Sequence, residues 1–338
     1  MLQAYENIES FKIEVFMTSG LLRNAVRFGY LPFMLIGLNG AAYYAVTTFQ
    51  SHIAIAGTIV ALLIVAFSTA FFAERVLPWY AEWNDPHGDD KTNLIHVLVY
   101  ELQSANGVLA IPLLGWLFSG GLNAGIWPRD WPVLGQLALA VVLADFGLMY
   151  LHYLSHRFPM LWRLHAVHHG VDRLYGFNGL VRHPLHQAID MILATGPLAI
   201  AGMPMQVALL LGFVISIQLI VQHSNVAYAL GPLRNHLAIG QIHHLHHVNW
   251  GTEGDCNFGL FFNIWDRMLG TFHPEPPRPI TAGDMGIDEI PQFPKGYLEQ
   301  VTLPWRYKPG QGVQDLSRKP AHAPTAAAKA RAIHDAAE

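Results

Sequence analysis

Residues 145–169, which read DFGLMYLHYLSHRFPMLWRLHAVHH, decide the fold of this chain. An apolar run ends in histidines that stand three or four positions apart, and residues with these spacings share one face of a helix. The stretch therefore predicts apolar helices that present imidazoles from their ends. Its five histidines are His152, His156, His165, His168 and His169.

Composition places this stretch in a membrane protein. Of the 338 residues, 52% are hydrophobic and 13% are charged, whereas soluble domains average about 25% charged residues. The net charge of −4 gives no reason to expect a nucleic-acid partner. The single cysteine, Cys256, excludes an internal disulfide and a CxxC site.

Four apolar segments are close to the roughly 20 residues that a helix needs to cross the hydrocarbon core. They lie at about 30–49, 53–73, 95–118 and 132–153. A fifth apolar run, 189–222, is interrupted by Gly-Pro and Gly-Met-Pro, and we interpret it as a short re-entrant hairpin or as one span with a broken start. The predicted fold is an all-α, polytopic membrane bundle of about four spans plus this hairpin.

Basic residues before the first span, after the second and after the fourth orient the bundle. They predict that both termini and the histidines face the cytosol, in a multi-pass protein that we expect in a bacterial inner membrane. We divide the chain into an N-terminal cytosolic segment (1–29), N-terminal transmembrane helices (30–129), a catalytic domain (130–275) and a partly disordered cytosolic extension (276–338).

Thirteen of the 19 histidines fall between His152 and His247, which is too dense for chance. Neutral imidazole is the commonest biological metal ligand. Eight of these histidines stand at helical spacing, which is more than one ion needs. The set therefore predicts two metal ions. A lone histidine is usually not a ligand. His236 and His244 are therefore left out, since the first has no partner spacing and the second points about 100° away from His243. The second triplet is His243, His246 and His247, and the single candidates are His183, His186 and His223.

Carboxylates should lie near two such cations. Asp145 stands seven and eleven residues before the first two histidines, on the same helix face, and an ionisable residue inside a span is a functional candidate. We expect Asp145 to accept the free ring N–H of a ligating histidine. The alternative is an interhelical hydrogen bond. Glu253 and Asp255 are weaker candidates, and Glu101 is given no role in catalysis.

Taken in order, these motifs resemble the sterol desaturase/fatty acid hydroxylase superfamily, a family of membrane di-iron oxygenases. The resemblance covers about residues 130–275. It rests on the stretch at 145–169, on RHPLH at 182–186, on HSN at 223–225, and on HHLHH at 243–247 followed by GDCNFGLFFNIWDRMLGTF at 254–272. The family often has HPLE where this chain has HPLH, so the anion expected at position 186 is absent here.

The resemblance implies two iron ions, which zinc can replace, and O2 activated with electrons from a reductase, ferredoxin or cytochrome. Trp265 and Asp266 match a motif that we interpret as structural. Whether His183 and His186 bind metal stays open. The ligands implied by the motifs are His152, His156, His165, His168, His169, His223, His243, His246 and His247, with His183 as a tenth.

The expected reaction is hydroxylation or desaturation of a C–H bond in a lipid, sterol or fatty-acyl substrate taken from the bilayer. An ether-lipid monooxygenase of the same superfamily is the nearest alternative. A membrane metal-binding or transport protein is the alternative from another class. It is less favoured, because transporters place their ligands in broken helices at mid-membrane and metal buffers are low-complexity tracts.

Overall fold

A computed structural model describes residues 20–117, 125–288, 290 and 292–306. Within these ranges the chain is helical and forms no strand beyond three isolated bridges, which confirms the all-α prediction. The predictions for residues 1–19, for 118–124 and for the tail after residue 306 lie outside the described residues.

In the described residues we number ten helices and treat the short helix Gly196–Ile200 as part of the hairpin described below. The first, α1, covers residues 20–48 and includes a π-helical stretch, Phe33–Leu38, before Asn39–Thr48. The others are α2 (His52–Val76), α3 (Asp90–Leu117), α4 (Val133–Arg157), α5 (Pro159–His169), α6 (Pro184–Asp190), α7 (Met205–His223), α8 (Gln241–His244), α9 (Ile264–Leu269) and α10 (Tyr297–Arg306).

Three of the described helices, α2, α4 and α7, are long and apolar enough to cross a membrane. The predicted spans at 30–49 and 95–118 fall on α1 and α3, which are helical up to Thr48 and Leu117, and both helices pack against α7. Large apolar side chains point outward, for example Ile53 and Ile64 on α2 and Leu102 on α3, each more than 60% exposed. Exposed apolar helix faces of this kind are suited to lipid. The chain is an integral membrane protein.

Helix α7 is the centre of the bundle. Two thirds (67%) of its most apolar window is buried, against 22% for α2 and 28% for α4. It contacts α1, α2, α3 and α4. Because it is surrounded, its sequence is apolar on all sides, as expected of a buried helix.

The predicted hairpin is helical and is longer than expected. Its first arm begins at Pro184, continues through a π-helical turn (Met191–Thr195) and ends at Ile200. Its second arm is α7. The tip hydrogen bonds to the loop before α4, through Trp127 N to Ala201 O (3.1 Å) and Arg129 Nε to Gly202 O (3.0 Å). The hairpin therefore reaches the far end of α4 instead of turning back halfway.

The described part of the C-terminal extension is packed onto the catalytic region. Helix α10 contacts α3 and α5. The Gln300 side chain hydrogen bonds to His96 Nε2 (2.8 Å), and Thr92 Oγ1 donates to the carbonyl of Lys295 (2.7 Å). Up to residue 306, the extension is thus part of the folded unit.

Candidate metal centre

Nine of the ten predicted ligands converge in two groups, and within each group the candidate ligand atoms lie within 4.8 Å of one another. All nine side chains are buried. Group A consists of His152, His156, His165, His169 and His246. Group B consists of His168, His223, His243 and His247.

A proline brings the first two histidine motifs together. Helix α4 ends at Arg157, and Phe158 is extended (φ −107°, ψ 118°), as the residue before a proline prefers to be. Pro159 then starts α5, which packs back against α4. His152 and His156 therefore face the histidines of α5 across a tight corner.

Groups A and B share elements. Within α5, His165 and His169 point to group A while His168, one position away from His169, points to group B. The triplet at 243–247 divides in the same way, with His246 in group A and its two neighbours in group B. The last residue of α7, His223, completes group B.

The ring nitrogens have the arrangement that bound ions require. Nε2 of His156 lies 3.2 Å from Nε2 of His169, and Nε2 of His223 lies 3.3 Å from that of His168 and 3.1 Å from that of His247. Two nitrogens that bind one ion at about 2.0–2.1 Å lie roughly 3.0–3.4 Å apart.

Hydrogen bonds at the other ring nitrogen support this interpretation. His168 Nδ1 donates to Val181 O (3.1 Å), and His223 Nδ1 donates to Leu219 O (2.9 Å). With the proton on Nδ1, both Nε2 atoms carry lone pairs that face each other, which is unfavourable unless a cation lies between them. The buried Nε2 atoms of His152 and His246 have no protein partner among the described residues. The residues therefore fit a pair of metal ions.

The electrostatics keep these ligands neutral. Burial, and next the charge of neighbouring imidazoles, lowers the pKa of His165, His169 and His246 well below the usual value. The same causes, in the same order, lower the pKa of His243 and His247. A neutral imidazole is the form that binds a metal.

Asp145 is buried near this centre, but its contacts differ from those predicted. Its carboxylate accepts from three backbone amides, those of Leu260, Phe261 and Phe262, and from Trp265 Nε1 (2.8 Å). We expected a clustered histidine to donate its ring N–H to Asp145. Instead, His152 Nδ1 donates to the carbonyl of Phe258 (2.9 Å). A loop that is distant in sequence folds between the two residues, and helical phase could not reveal it.

Asp255, a weaker candidate from the sequence, makes the contact expected of Asp145. Its Oδ1 lies 2.9 Å from His156 Nδ1, and the side chain is 7% exposed. Glu253 is exposed and makes no such contact. The signal available in the sequence was the position of Asp255 just after the last histidine motif.

The other histidines that the sequence analysis considered, His183, His186, His236 and His244, lie outside both groups. His183 caps α6, since its Nδ1 accepts from Leu185 N (3.0 Å), and its Nε2 donates to Val301 O (2.9 Å). His186 hydrogen bonds through Nε2 to Ser155 Oγ (2.9 Å), and its Nδ1 is 3.4 Å from Asp190. His244 packs edge-on against Trp83, and His236 is exposed.

A cavity of about 360 Å³ reaches the histidines from within the bundle. One histidine of each group lines it, His152 of group A and His243 of group B. Its walls are mostly apolar and come from α3, α4, α7 and the π-helical turn after α6. The polar residues that line it are Tyr100, Ser104, Arg182, Gln187, Asp190, Thr195 and Gln222.

Comparison with known proteins gives this architecture a family. Residues 137–271 match the model of the fatty acid hydroxylase family. The ornithine lipid hydroxylase of Rhizobium tropici is 32% identical over 305 residues, which are 87% of this chain and 88% of that protein. The alkylglycerol monooxygenase of Homo sapiens is 30% identical over 210 residues, which are 62% of this chain and 46% of that protein.

More distant relatives are of the same kind. Sphinganine C4-monooxygenase 2 of Arabidopsis thaliana is 27% identical over 143 residues, 41% of this chain and 54% of that protein. No solved structure gives a significant match. The buried histidine groups and the match along nearly the whole length of one relative agree: the chain belongs to the fatty acid hydroxylase family, within the sterol desaturase superfamily, and is an oxidoreductase of the lipid hydroxylase class.

Proposed function

We propose that this protein hydroxylates a C–H bond of a membrane lipid with an amino-acid headgroup, of the ornithine-lipid type, using two iron ions, O2 and electrons from a redox partner. One observation carries the proposal. A cavity of about 360 Å³ is lined by one histidine from each of the two histidine groups. A substrate in that cavity would be presented to both metals at once.

The nine clustered histidines would hold the ions, five at group A and four at group B. Iron bound there supplies the oxidation of an unactivated C–H bond, which side-chain acid–base chemistry cannot achieve. Imidazole sites discriminate weakly between first-row metals, so zinc can replace iron. Burial keeps these ligands neutral, and hydrogen bonds at Nδ1 orient the rings of most of them.

The lining of the cavity supports the substrate class. Apolar residues such as Leu148 and Leu211 would hold an acyl chain. Arg182 and Asp190, paired at 2.8 Å, line the same cavity, and the buried Nε of Arg182 has no partner among the described residues. A headgroup with an amine and a carboxyl or amide group offers a counterpart to each charge. The ornithine lipid hydroxylase is also matched over 88% of its own length.

We propose that the histidines face the cytosol of a bacterial cell. The substrate would then enter from the bilayer, while a reductase, ferredoxin or cytochrome delivers electrons from the cytosol. Ether-lipid oxidation is the second candidate, because alkylglycerol monooxygenases are similar to this chain. Those proteins match over less than half of their own length, so this candidate is less favoured.

Lipid analysis tests the proposal. The protein is produced in a bacterium that makes ornithine lipids, beside the His168→Ala variant, and extracted lipids are compared by mass spectrometry. We expect an ornithine lipid that has gained one oxygen atom with the wild type only. Loss of two hydrogens would indicate desaturation, and ether-lipid consumption would favour the second candidate. An unchanged lipid profile, in cells where the protein is iron-loaded and membrane-inserted, would reject the proposal.

A further inference from the structure

The short non-helical segment 256–262 touches both histidine groups. Three consecutive carbonyl oxygens, of residues 256, 257 and 258, accept from the Nδ1 atoms of three clustered histidines. The pairs are His246 with Cys256 (2.8 Å), His243 with Asn257 (3.4 Å) and His152 with Phe258 (2.9 Å). His246 and His152 belong to group A, and His243 belongs to group B.

The same segment is held by two buried carboxylates. Five consecutive amides, from Phe258 to Phe262, all donate to them. Asp266 accepts from Phe258 N (2.8 Å) and Gly259 N (2.7 Å). Asp145 accepts from the amides of residues 260, 261 and 262 at 2.7–3.2 Å. Both carboxylates are fully buried.

Local geometry leaves the segment little freedom. Asn257 adopts φ 55°, and its side chain donates to Ile242 O and His273 O, both at 2.8 Å. A Cβ on Gly259 would lie 2.7 Å from Phe262 O and 3.0 Å from Asp266, so only glycine fits. Thr271 Oγ1 donates to Asp266 (2.7 Å) and so holds that carboxylate in turn.

We infer that segment 256–262 is a common support for both metal groups, and that Asp145 and Asp266 are positioning residues that orient His152, His243 and His246 through it. The inference rests on the proposed metal sites. Hydrogen bonds to the second nitrogen of a metal-bound histidine fix its tautomer and ring orientation. Here that task falls to a backbone segment, and the carboxylates act one hydrogen bond further away.

This arrangement has a distinctive consequence. Removing a single ligand should weaken one metal group, because each histidine belongs to one group only. Releasing the segment should weaken both groups together, because its carbonyls reach histidines of both. The number of metals lost therefore separates the two kinds of change.

The test uses Asp266→Asn and Asp145→Asn. In each variant, an NH2 group replaces a carboxylate oxygen that accepts hydrogen bonds from backbone amides. The new N–H donors then face those amide N–H donors, and the hydrogen bonds are lost. Purified full-length protein is loaded with Co(II), and absorption spectra and metal release to a chelator are followed. We expect both Co(II) ions to leave about 10–100-fold faster than from the wild type, with altered ligand-field bands.

Glu74→Gln is the matched control. Glu74 is also buried, and it accepts from the amides of Gly176 (2.8 Å) and Asn225 (3.0 Å), but the backbone that it holds accepts from no clustered histidine. This variant should bind two Co(II) ions and release them at the wild-type rate. Thr271→Val removes the Oγ1 donor to the Asp266 carboxylate (2.7 Å), which also has a longer contact with the Asp266 carbonyl (3.4 Å). It should give a smaller acceleration of the same kind and keeps the test valid if the aspartate variants do not fold.

Two results would overturn the inference. One is wild-type spectra and release rates in folded Asp266→Asn and Thr271→Val. The other is faster release of one ion only, which would tie the segment to a single group. Failure of the wild type to bind two Co(II) ions would instead reject the proposed metal sites, so the two failures can be told apart.

Discussion

At the scale of single residues, the clustered histidines differ in what holds their second ring nitrogen. Backbone carbonyls accept from Nδ1 of His152, His168, His223, His243 and His246, and a carboxylate contacts that of His156. Among the described residues, His165 has no hydrogen-bond partner at either nitrogen, His247 has none at Nδ1, and the only hydrogen-bond contact of His169 is through Nε2 to His156. We therefore expect the rings of these three to be the least constrained before metal binds.

The two histidine groups make different predictions for single ligands. His168→Ala removes a ligand of group B and His246→Ala removes one of group A, so each variant should keep about one tightly bound metal and lose turnover. Elemental analysis of purified protein measures this. His244→Ala should keep both metals, since its ring packs against Trp83 outside both groups. Loss of metal from His244→Ala equal to that from His246→Ala would contradict this assignment of ligands.

Asp255 gives a second prediction at this scale. Asp255→Ala leaves His156 Nδ1 without its acceptor, and we expect about 10–100-fold weaker metal binding at group A. Competition with a chelator measures the affinity. Glu253→Ala, two positions earlier and exposed, is the control that should bind as the wild type does. Equal affinities for the two variants would show that the contact of Asp255 with His156 has no role in metal binding.

The sequence predicted ligands better than their supports. Helical spacing alone predicted that His152 lies beside His156 and that His165 lies beside His169, because side chains three or four residues apart share a helix face. The acceptors of their ring N–H groups are mostly carbonyls, which every residue carries, so no sequence pattern marks them. Asp145 was singled out as a carboxylate inside a span and is buried, but its partners come from a loop that begins 115 residues later in the chain.

At the scale of elements, the least predictable part is the hairpin that ends in α7. Hydropathy detected its apolar residues, and Gly-Pro steps indicated a break. The extra turns at Pro184–Asp190 are partly polar, so they were not counted as part of the hairpin. Close packing explains the polar side chains there: Gln187 Nε2 donates to Tyr100 O (2.9 Å) on α3.

Substitutions at two glycines on facing helices distinguish an effect on the cavity from an effect on helix packing. A Cβ on Gly212, which lines the cavity, would meet nothing within 4 Å, whereas a Cβ on Gly147 would lie 2.9 Å from Ala194 Cα. Gly212→Leu should fill the cavity and reduce turnover while metal content and stability stay unchanged. Gly147→Leu should destabilise the fold by about 1–3 kcal/mol, as overpacking does. Lipid turnover and thermal unfolding in detergent distinguish them. Full activity in folded Gly212→Leu would exclude this cavity as the substrate site.

At the scale of the whole molecule, the proposed orientation can be tested with cysteines. The native Cys256 is 2% exposed, so it should react poorly with membrane-impermeant reagents. Lys91→Cys, at the start of α3, should be labelled only when the cytosolic face is accessible. Asp130→Cys, before α4, should be labelled from the opposite face. Both positions are exposed. Labelling of both from one face would contradict the topology.

Part of the cavity wall comes from elements that carry no clustered histidine. Helix α3 and the turn Met191–Thr195 form much of the cavity wall and contribute no clustered histidine. Substitutions at Val108 or Ile192 can therefore reshape the space for substrate while every ligand and its hydrogen bonds stay in place. The shape of the cavity can therefore change during evolution without a change in the histidine groups. Substitutions in one wall could then change the lipid that the cavity accepts, which is consistent with the different lipids in the names of relatives of this chain: ornithine lipids, alkylglycerols and sphinganine.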